Sequence, residues 1–209
     1  MNKRPIFQDV FADQWDRLPA ALKLHYANRP FTNDHVTVKG TLTITMGPLL
    51  RLLSPLLKAF GMLTPWPGEN IPCTVTFLSE PTSDAFIFER TFNYPGKSPY
   101  IFRSKMIAQQ AHEVIEYMAC GIGWRSGYHF DGTRVRLTHK GYIWRLFGRD
   151  MPMPFFGEWL MGRGEAWEEA TGDNRFKMDM RLTGSLLGNA MFYGYEGVFD
   201  VTDLGLSDD

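Results

Sequence analysis

The chain has 209 residues, and its 22 Lys and Arg against 23 Asp and Glu leave a net charge of −1. This balance provides neither a basic surface for nucleic acid nor an acidic tail, so nucleic acid is not expected as a partner. Apolar residues make up 44% and aromatic residues 14% of the chain, which excludes a disordered or collagen-like protein and predicts a large apolar interior.

The first part of the chain alternates between helical and strand-like patterns. Apolar residues recur at helical spacing over 6–28, with a break where Leu18-Pro19 starts a second helix. Over 36–46 the period changes to two, which predicts a strand with one apolar face. Residues 48–63 then have the pattern of an amphipathic helix, which Ser54-Pro55 interrupts and restarts.

The helix predicted over 48–63 has two interpretations. Its broad leucine-rich face fits a helix that covers the open face of the following sheet, because most amphipathic helices of globular proteins pack on a core. Peripheral contact with a membrane surface is the alternative, since amphipathic helices with cations bind lipid headgroups. Arg51 and Lys58 are its two cations, which is few for a membrane helix and favours the first interpretation.

Nearly all of the chain after residue 71 is predicted to be β-strand. Alternating stretches such as 174–183 have one apolar and one polar side, which is typical of an antiparallel sheet with one face on a core. Asp131-Gly132 predicts a two-residue hairpin turn, and 151–156 predicts an apolar loop that acts as a lid or packs on the core. The strands are predicted near 71–79, 84–94, 100–110, 112–120, 122–130, 133–145, 163–171, 174–183 and 190–201.

These elements predict an α+β fold that is predominantly β. Eight or more antiparallel strands curl or close around their apolar face. We therefore expect a large curved antiparallel sheet, open or barrel-like, wrapped around the amphipathic helix, with helices at the N-terminus. No repeat or linker divides the sequence, so 1–209 is expected to be a single domain.

Targeting and redox signals indicate a cytoplasmic protein. No apolar stretch follows the first cations and no run of eighteen apolar residues exists, so neither a secretory signal nor a transmembrane span is expected. Cys73 and Cys120 lack the spacing of a disulfide framework or a zinc site and are expected to be free thiols. We expect no metal, and the glycine spacing does not fit a dinucleotide loop, so we expect no cofactor.

Polar residues interrupt the apolar faces of three predicted strands. Arg90 and Ser104 lie on such faces in two successive strands, and pairing of Tyr94 with Tyr100 would place Arg90 directly opposite Ser104. A buried guanidinium needs a partner, because an unpaired buried charge costs several kcal/mol. Glu116 is the candidate partner, since it interrupts the apolar face of the next strand.

Three roles fit the set of Arg90, Ser104 and Glu116. It is a structural ion pair, an anchor for the anionic headgroup of a ligand at the base of an apolar pocket, or a catalytic set with Glu116 as acid or base and Arg90 as electrostatic stabiliser. No catalytic motif is recognisable, so a binding module for an apolar or amphiphilic small molecule is the leading hypothesis. An enzyme acting on a hydrophobic small molecule, and a structural domain with a filled cavity, are the alternatives. The predicted ligand-binding residues are Arg90, Ser104, Glu116, Tyr195, Phe88, Phe92 and Phe102.

A series of short motifs runs in order through nearly the whole chain: Leu18-Pro19-Ala20-Ala21-Leu22 with His25, Arg90-Thr91-Phe92, Phe102-Arg103-Ser104, Glu116, Asp131-Gly132, Gly148 to Pro154, Arg175-Phe176 and Tyr195-Glu196-Gly197. Together they resemble the bacterial domain-of-unknown-function 4166 family. In that family the domain occurs alone or attached to larger bacterial proteins, some with a dehydrogenase-like nucleotide-binding part, and the resemblance implies no particular activity. It implies that Arg90, Ser104 and Tyr195 are important. The chain departs from the family at 184–188, where relatives tend to have a proline before Leu-Leu-Gly.

Overall fold

A computed structural model describes residues 4–207 of the chain, apart from the side chains of residues 155 and 156. Its N-terminal part is helical, as the apolar spacing predicts. Helix α1 spans Ile6–Phe11, a 3-10 helix spans Ala12–Arg17 and helix α2 spans Ala20–His25. The break falls at Leu18, which is extended (ψ 138°) because the residue before a proline is driven out of the helical region.

The rest of the described chain is mainly β-strand, as predicted. Between the first two strands lie two short helices, α3 (Pro48–Leu52) and α4 (Ser54–Ala59). Helix α5 (Phe155–Met161) and a 3-10 helix (Gly188–Met191) lie later in the chain. The strands are β1 (His35–Met46), β2 (Gly68–Glu80), β3 (Ser83–Phe92), β4 (Tyr100–Gln110), β5 (Glu113–Met118), β6 (Ile122–Phe130), β7 (Arg134–Leu146), β8 (Arg149–Pro152), β9 (Arg163–Ala170), β10 (Arg175–Thr183) and β11 (Tyr193–Gly205).

Ten of the described strands form a closed antiparallel barrel. Their order is β6-β5-β4-β3-β2-β1-β11-β10-β9-β7, and β7 pairs back with β6. Strand β8 forms a hairpin with the end of β7 outside this circuit. Closure follows from the strand pattern, because a sheet that curls around one apolar face buries that face completely when its edges meet. The predicted curved antiparallel sheet is thus confirmed in its barrel-like form.

The antiparallel order places the connecting segments at the two ends of the barrel. The N-terminal helices close one end, where the His112 amide donates to the Val10 carbonyl at 2.7 Å and the ring of Phe7 lies 4.9 Å from that of Phe86. The opposite end is called the lid end. It carries residues 47–67, 93–99, 119–121, 144–162 and 184–192.

The structure corrects the position of segment 48–63. The sheet does not wrap around a single helix, because the segment forms α3 and α4 and lies across the lid end. A closed barrel whose inward side chains fill much of its interior leaves no room for a helix inside it. The helix restarts at this point as predicted, but the N-cap of α4 is Leu53, and Ser54 is the first residue of the helix rather than its cap. Leu50 is buried, whereas half or more of the side chain is exposed at Leu52, Leu56 and Phe60.

Two local predictions also change. The stretch 151–156 is not a loop throughout, since Met151 and Pro152 belong to β8 and α5 begins at Phe155. The β6–β7 hairpin closes one residue later than predicted, because the Asp131 amide donates to the Arg134 carbonyl at 3.0 Å. Its turn residues are therefore 132 and 133 rather than 131 and 132.

The register between β3 and β4 differs from the prediction by two residues. Arg90 lies opposite Phe102, not opposite Ser104. The reason is that Tyr94 leaves the strand ladder, and its hydroxyl donates instead to the Trp66 carbonyl at 2.7 Å. A shift of two residues keeps the parity of a strand, so Arg90 and Ser104 still point to the same face.

Candidate functional site

The barrel encloses a cavity of about 170 Å³. One water molecule needs only roughly 10–15 Å³, and a dry apolar cavity of about 150 Å³ binds benzene, so this space can hold a small organic molecule. His25 and Tyr26 line the cavity on the side of α2, and leucines of α3 and α4 line it on the side of the lid end. The described side chains leave this space unfilled, which weighs against a structural domain whose cavity is filled by its own side chains.

The lining is mainly aliphatic and aromatic, with a few polar groups. Among the described residues that line the cavity, the acidic and basic side chains other than histidine are Arg90, Glu116 and Glu168. Tyr128 and Tyr195 add two hydroxyls that make no hydrogen bond to the described part of the chain. Burial raises the pKa of Tyr195 to about 12, so its hydroxyl stays protonated. An apolar pocket with a few converging polar groups is typical of a small-molecule site.

The structure brings together the three polar residues that interrupt the predicted strands. Arg90 Nη2 donates to Glu116 Oε1 at 2.7 Å, and Nη1 donates to Ser104 Oγ at 3.1 Å. The Ser104 hydroxyl donates to the same Glu116 oxygen at 2.5 Å. Both donors use Oε1, so Glu116 Oε2 has no hydrogen-bond donor within residues 4–207.

The Arg90 guanidinium is also packed against aromatic rings. Its central carbon lies 3.3 Å from the ring centroid of Phe88 and 4.7 Å from that of Phe102. Burial is the largest single effect on the pKa of Arg90 and lowers it, but Glu116, Tyr195 and Cys73 together outweigh burial and hold the pKa above its ordinary value. Arg90 is therefore a cation whose charge is balanced by one carboxylate and two ring faces.

A second polar cluster lines the cavity beside α2. The Tyr26 hydroxyl donates to Glu168 Oε2 at 2.6 Å, and His25 Nε2 lies 3.6 Å from Glu168 Oε1. Burial raises the pKa of Glu168 to about 7, although the hydrogen bond from Tyr26 acts in the opposite direction. Burial lowers the pKa of His25 to about 3, so its ring is neutral near pH 7. The cluster thus holds a carboxyl group that titrates near neutral pH.

Sequence reasoning missed Glu168, although it satisfies the criterion that selected Arg90. Glu168 shares strand parity with Ala166, and both point inward. The signal is weak because the inward parity carries only small residues beside Glu168, while the one large apolar residue of β9, Trp167, lies on the outward parity. In the structure Trp167 packs against Arg134, and the central carbon of the Arg134 guanidinium lies 4.2 Å from the centroid of the Trp167 ring. A search for any charged residue on either face would have found Glu168.

The predicted ligand-binding residues do not all reach the cavity. Ser104 makes hydrogen bonds to two cavity residues but is not part of the lining itself. Phe92 is also outside the lining, because it lies closer to the lid end and packs against the rings of Tyr94 and Tyr100. The predicted residues that line the cavity are Arg90, Glu116, Tyr195, Phe88 and Phe102.

The metal-ligating and thiol side chains of residues 4–207 do not form a metal-binding cluster. No group of three or more His, Cys, Asp and Glu side chains in this range is placed to hold a metal ion. Cys73 and Cys120 are free thiols, and burial raises the pKa of Cys73 to about 12, which makes it a poor nucleophile. The helices described for this chain are all too short or too polar to cross a membrane.

Comparison with known proteins identifies one family. The model of the family described as “Domain of unknown function (DUF4166)” matches residues 18–199. None of the curated proteins matches the chain. Among solved structures, “Structure of EF1p2_mFAP2b bound to DFHBI” is 9% identical and has a TM-score of 0.30, with 82% of this chain and 94% of that chain covered. “Dehydratase domain of the polyketide PpsC from Mycobacterium tuberculosis” is 8% identical and has a TM-score of 0.17, with 88% and 80% covered. At these TM-scores neither structure bears on the function of this chain.

Proposed function

The chain belongs to the family described as “Domain of unknown function (DUF4166)”, and we propose that it binds an apolar or amphiphilic small molecule inside its barrel. The observation that carries the proposal is the cavity of about 170 Å³ with its mainly apolar lining. At roughly 24 cal/mol per Å³, an empty space of this size costs on the order of 4 kcal/mol of stability. A ligand that fills the space recovers part of this free energy through the contacts that it makes with the lining.

The polar contacts of such a ligand follow from the atoms that the cavity leaves available. The apolar body packs on Phe88 and Phe102, and the Tyr195 hydroxyl and Glu116 Oε2 are free to bond its polar end. Arg90 supports this contact by holding Glu116 in place at 2.7 Å. Because Arg90 and Ser104 both donate to Oε1, Glu116 Oε2 is the oxygen that remains for a donor on the ligand.

The test is to identify what the protein carries through native purification. Protein from its own host is purified without detergent, and the bound molecule is released and analysed by mass spectrometry. Ala166→Phe fills the cavity, whereas Glu165→Phe places the same ring on the outer face of β9 as a matched control. We expect the wild type and Glu165→Phe to carry a molecule with an apolar body and Ala166→Phe to lose it. Wild-type protein that carries no such molecule would contradict the proposal.

A second role, peripheral contact with a membrane, is supported by the surface of the lid end. Large exposed apolar side chains concentrate at this end, whereas the rest of the described surface carries few of them. Patches of this kind mark surfaces that bind proteins or membranes. The side chains are Leu52, Leu56, Phe60, Trp144, Phe147, Met151, Trp159, Leu160, Leu186 and Leu187.

The charges of the lid end favour an anionic lipid surface as the partner. Its two acids are already paired: Asp150 lies 2.8 Å from Arg145, and Glu158 lies 3.5 Å from Arg163. By contrast, four cations of the same loops form no ion pair with any described residue. These cations are Arg51, Lys58, Lys97 and Arg149. Exposed apolar side chains flanked by unpaired cations are the features by which peripheral helices bind anionic bilayers.

Flotation with lipid vesicles tests this second role through segment 48–63. We expect the protein to float with vesicles that contain phosphatidylglycerol and to float less with pure phosphatidylcholine or in high salt. Phe60→Glu should abolish flotation, while Leu204→Glu, an equally exposed apolar position at the other end of the barrel, should not. Wild-type protein that stays in the bottom fraction with both vesicle types would exclude the role.

A further inference from the structure

We propose that the cavity selects ligands that carry a protonated amine, with the Glu168 carboxylate as the counter-ion. This inference rests on the proposed function, because it names the class of molecule that the same cavity accepts. It also assigns a binding role to Glu168, which lies in the second polar cluster beside α2. The charges inside this mainly apolar cavity do not balance.

The first step is that the cavity holds one more carboxylate than cation. Arg90 and Glu116 neutralise each other at 2.7 Å, with 5% and 12% of their side chains exposed. Glu168 forms no ion pair with a Lys or Arg of the described chain, and its neighbours are the Tyr26 hydroxyl and the His25 ring. Since burial lowers the pKa of His25 to about 3, that ring brings no positive charge near pH 7.

The second step is that a cation beside Glu168 relieves an unfavourable state. A buried carboxylate without a cation is costly, which is why burial raises the pKa of Glu168 to about 7. An ammonium group on the ligand supplies the missing positive charge and a hydrogen-bond donor for Glu168 Oε1, since Tyr26 donates only to Oε2. The lining around it also suits a cation, because the aromatic rings of Tyr26, Phe77 and Tyr128 line the same cavity.

The third step is that an anionic ligand is disfavoured in the same place. It would enter beside two carboxylates, and the one arginine of the lining already donates to Glu116 and Ser104. The Nε of Arg90 is buried without a hydrogen-bond partner and does not reach the cavity surface. Arg90, which the sequence suggested as an anchor for an anionic headgroup, thus neutralises Glu116 instead. The charge that remains unbalanced in the cavity is the negative charge of Glu168.

The experiment compares three ligands that share one ring system: 1-naphthylmethylamine, 1-naphthylmethanol and 1-naphthylacetate. Their affinities for the purified protein are measured by isothermal titration calorimetry at pH 8. We expect the amine to bind at least about tenfold more tightly than the alcohol, since one charge-assisted hydrogen bond is worth roughly 1.4 kcal/mol or more. The acetate should bind most weakly.

Two further measurements assign the preference to Glu168. In Glu168→Gln the ratio of amine affinity to alcohol affinity should fall from at least about tenfold to less than about twofold. Glu165→Gln, a neighbour on the outer face, should keep the wild-type ratio. On the unaltered protein, the advantage of the amine should decrease from pH 8 to pH 6 as Glu168 is protonated, a readout that does not depend on the folding of any variant. The groups that face this carboxyl are His25 and Tyr26 beside α2, Tyr128 of β6 and Tyr195 of β11.

The outcomes separate this inference from the function on which it rests. If the acetate binds most tightly, the preference for amines is wrong while binding itself stands. If the amine keeps its advantage in Glu168→Gln, Glu168 is not the counter-ion and the inference is wrong, while binding again stands. If the alcohol binds and the amine gains nothing over it, the same conclusion follows. If none of the three ligands binds the wild type, both the inference and the binding of small aromatic amphiphiles are contradicted.

Discussion

Removal of the Glu116 carboxylate tests the charge balance of the cavity wall. Glu116→Ala leaves the Arg90 guanidinium buried, with 5% of its side chain exposed and no carboxylate beside it. Two charge-assisted hydrogen bonds to Glu116 Oε1 are lost, from Arg90 and from Ser104. At roughly 1.5–3 kcal/mol for each such bond, we expect the free energy of unfolding to decrease by about 3–6 kcal/mol.

The double variant Arg90→Met with Glu116→Leu should behave differently. It removes both charges and places two apolar side chains of similar length in an apolar wall, so no uncompensated charge remains. We expect its free energy of unfolding to lie within about 1 kcal/mol of the wild type, or above it. The pair would then be strongly coupled, because the double change costs far less than Glu116→Ala alone.

Urea unfolding followed by tryptophan fluorescence measures these differences, with near-ultraviolet circular dichroism as a check on the folded state. Glu80→Ala is the matched control. Glu80 lies 3.4 Å from Arg103, and 38% of the Glu80 side chain and 52% of the Arg103 side chain are exposed. An exposed pair of this kind contributes less than about 1 kcal/mol. If Glu116→Ala costs no more than Glu80→Ala, the buried guanidinium does not depend on Glu116, and the account of the wall is wrong.

Further predictions concern the pH dependence of stability, the packing of the barrel strands and the role of Arg90 in ligand binding. The pKa of Glu168 rises from 4.5 to about 7 on folding, so its contribution to stability is present below pH 4.5 and is lost as the pH rises to 7. The stability of the wild type relative to Glu168→Gln should therefore fall by on the order of 3 kcal/mol over this interval in urea titrations, and a constant difference would refute the assignment. His25 has the opposite sign: its pKa falls from 6.5 to about 3, so its contribution is present above pH 6.5 and is lost as the pH drops, and His25→Phe should flatten the acid limb of the stability curve. Gly40→Ala places a methyl group against the Val198 carbonyl and should lower the free energy of unfolding by about 1–3 kcal/mol, whereas Gly172→Ala, which has room, should cost less than half as much. Arg90→Ala with unchanged ligand load in the mass spectrometric assay would show that Arg90 does not position the ligand.

The sequence predicted the barrel and the first polar cluster because both depend on strand parity. Side chains alternate between two faces with a period of two, and a register error of two residues leaves that alternation intact. Arg90 and Ser104 therefore meet, although Arg90 pairs across the ladder with Phe102. A one-residue bulge between them would have separated the pair and made the prediction fail.

Other features depend on contacts that no local pattern contains. Tyr26 and Glu168 are 142 positions apart, and only closure of the barrel over α2 brings them to 2.6 Å. The position of segment 48–63 also depends on the tertiary fold, although its leucines have the spacing of an amphipathic helix. Whether they lie inside the sheet or across its end depends on how many strands close the barrel. The tertiary fold decides both cases, and the residue pattern is the same for either outcome.

The polar side chains inside the barrel serve either the stability of the fold or the binding of a ligand. The free energy of unfolding of the variants distinguishes these two roles. A buried ion pair rarely stabilises a protein more than apolar side chains of the same volume do. A buried carboxyl without a cation, such as Glu168, contributes less to stability than either. If the Arg90–Glu116 double variant and Glu168→Gln are as stable as the wild type at pH 7, then stability does not explain these residues. Their loss should then show in ligand affinity alone, with Glu168→Gln affecting amines and the double variant affecting the bonds to Glu116 Oε2. Variants that lose stability and affinity together would instead indicate that the two clusters hold the barrel wall in shape.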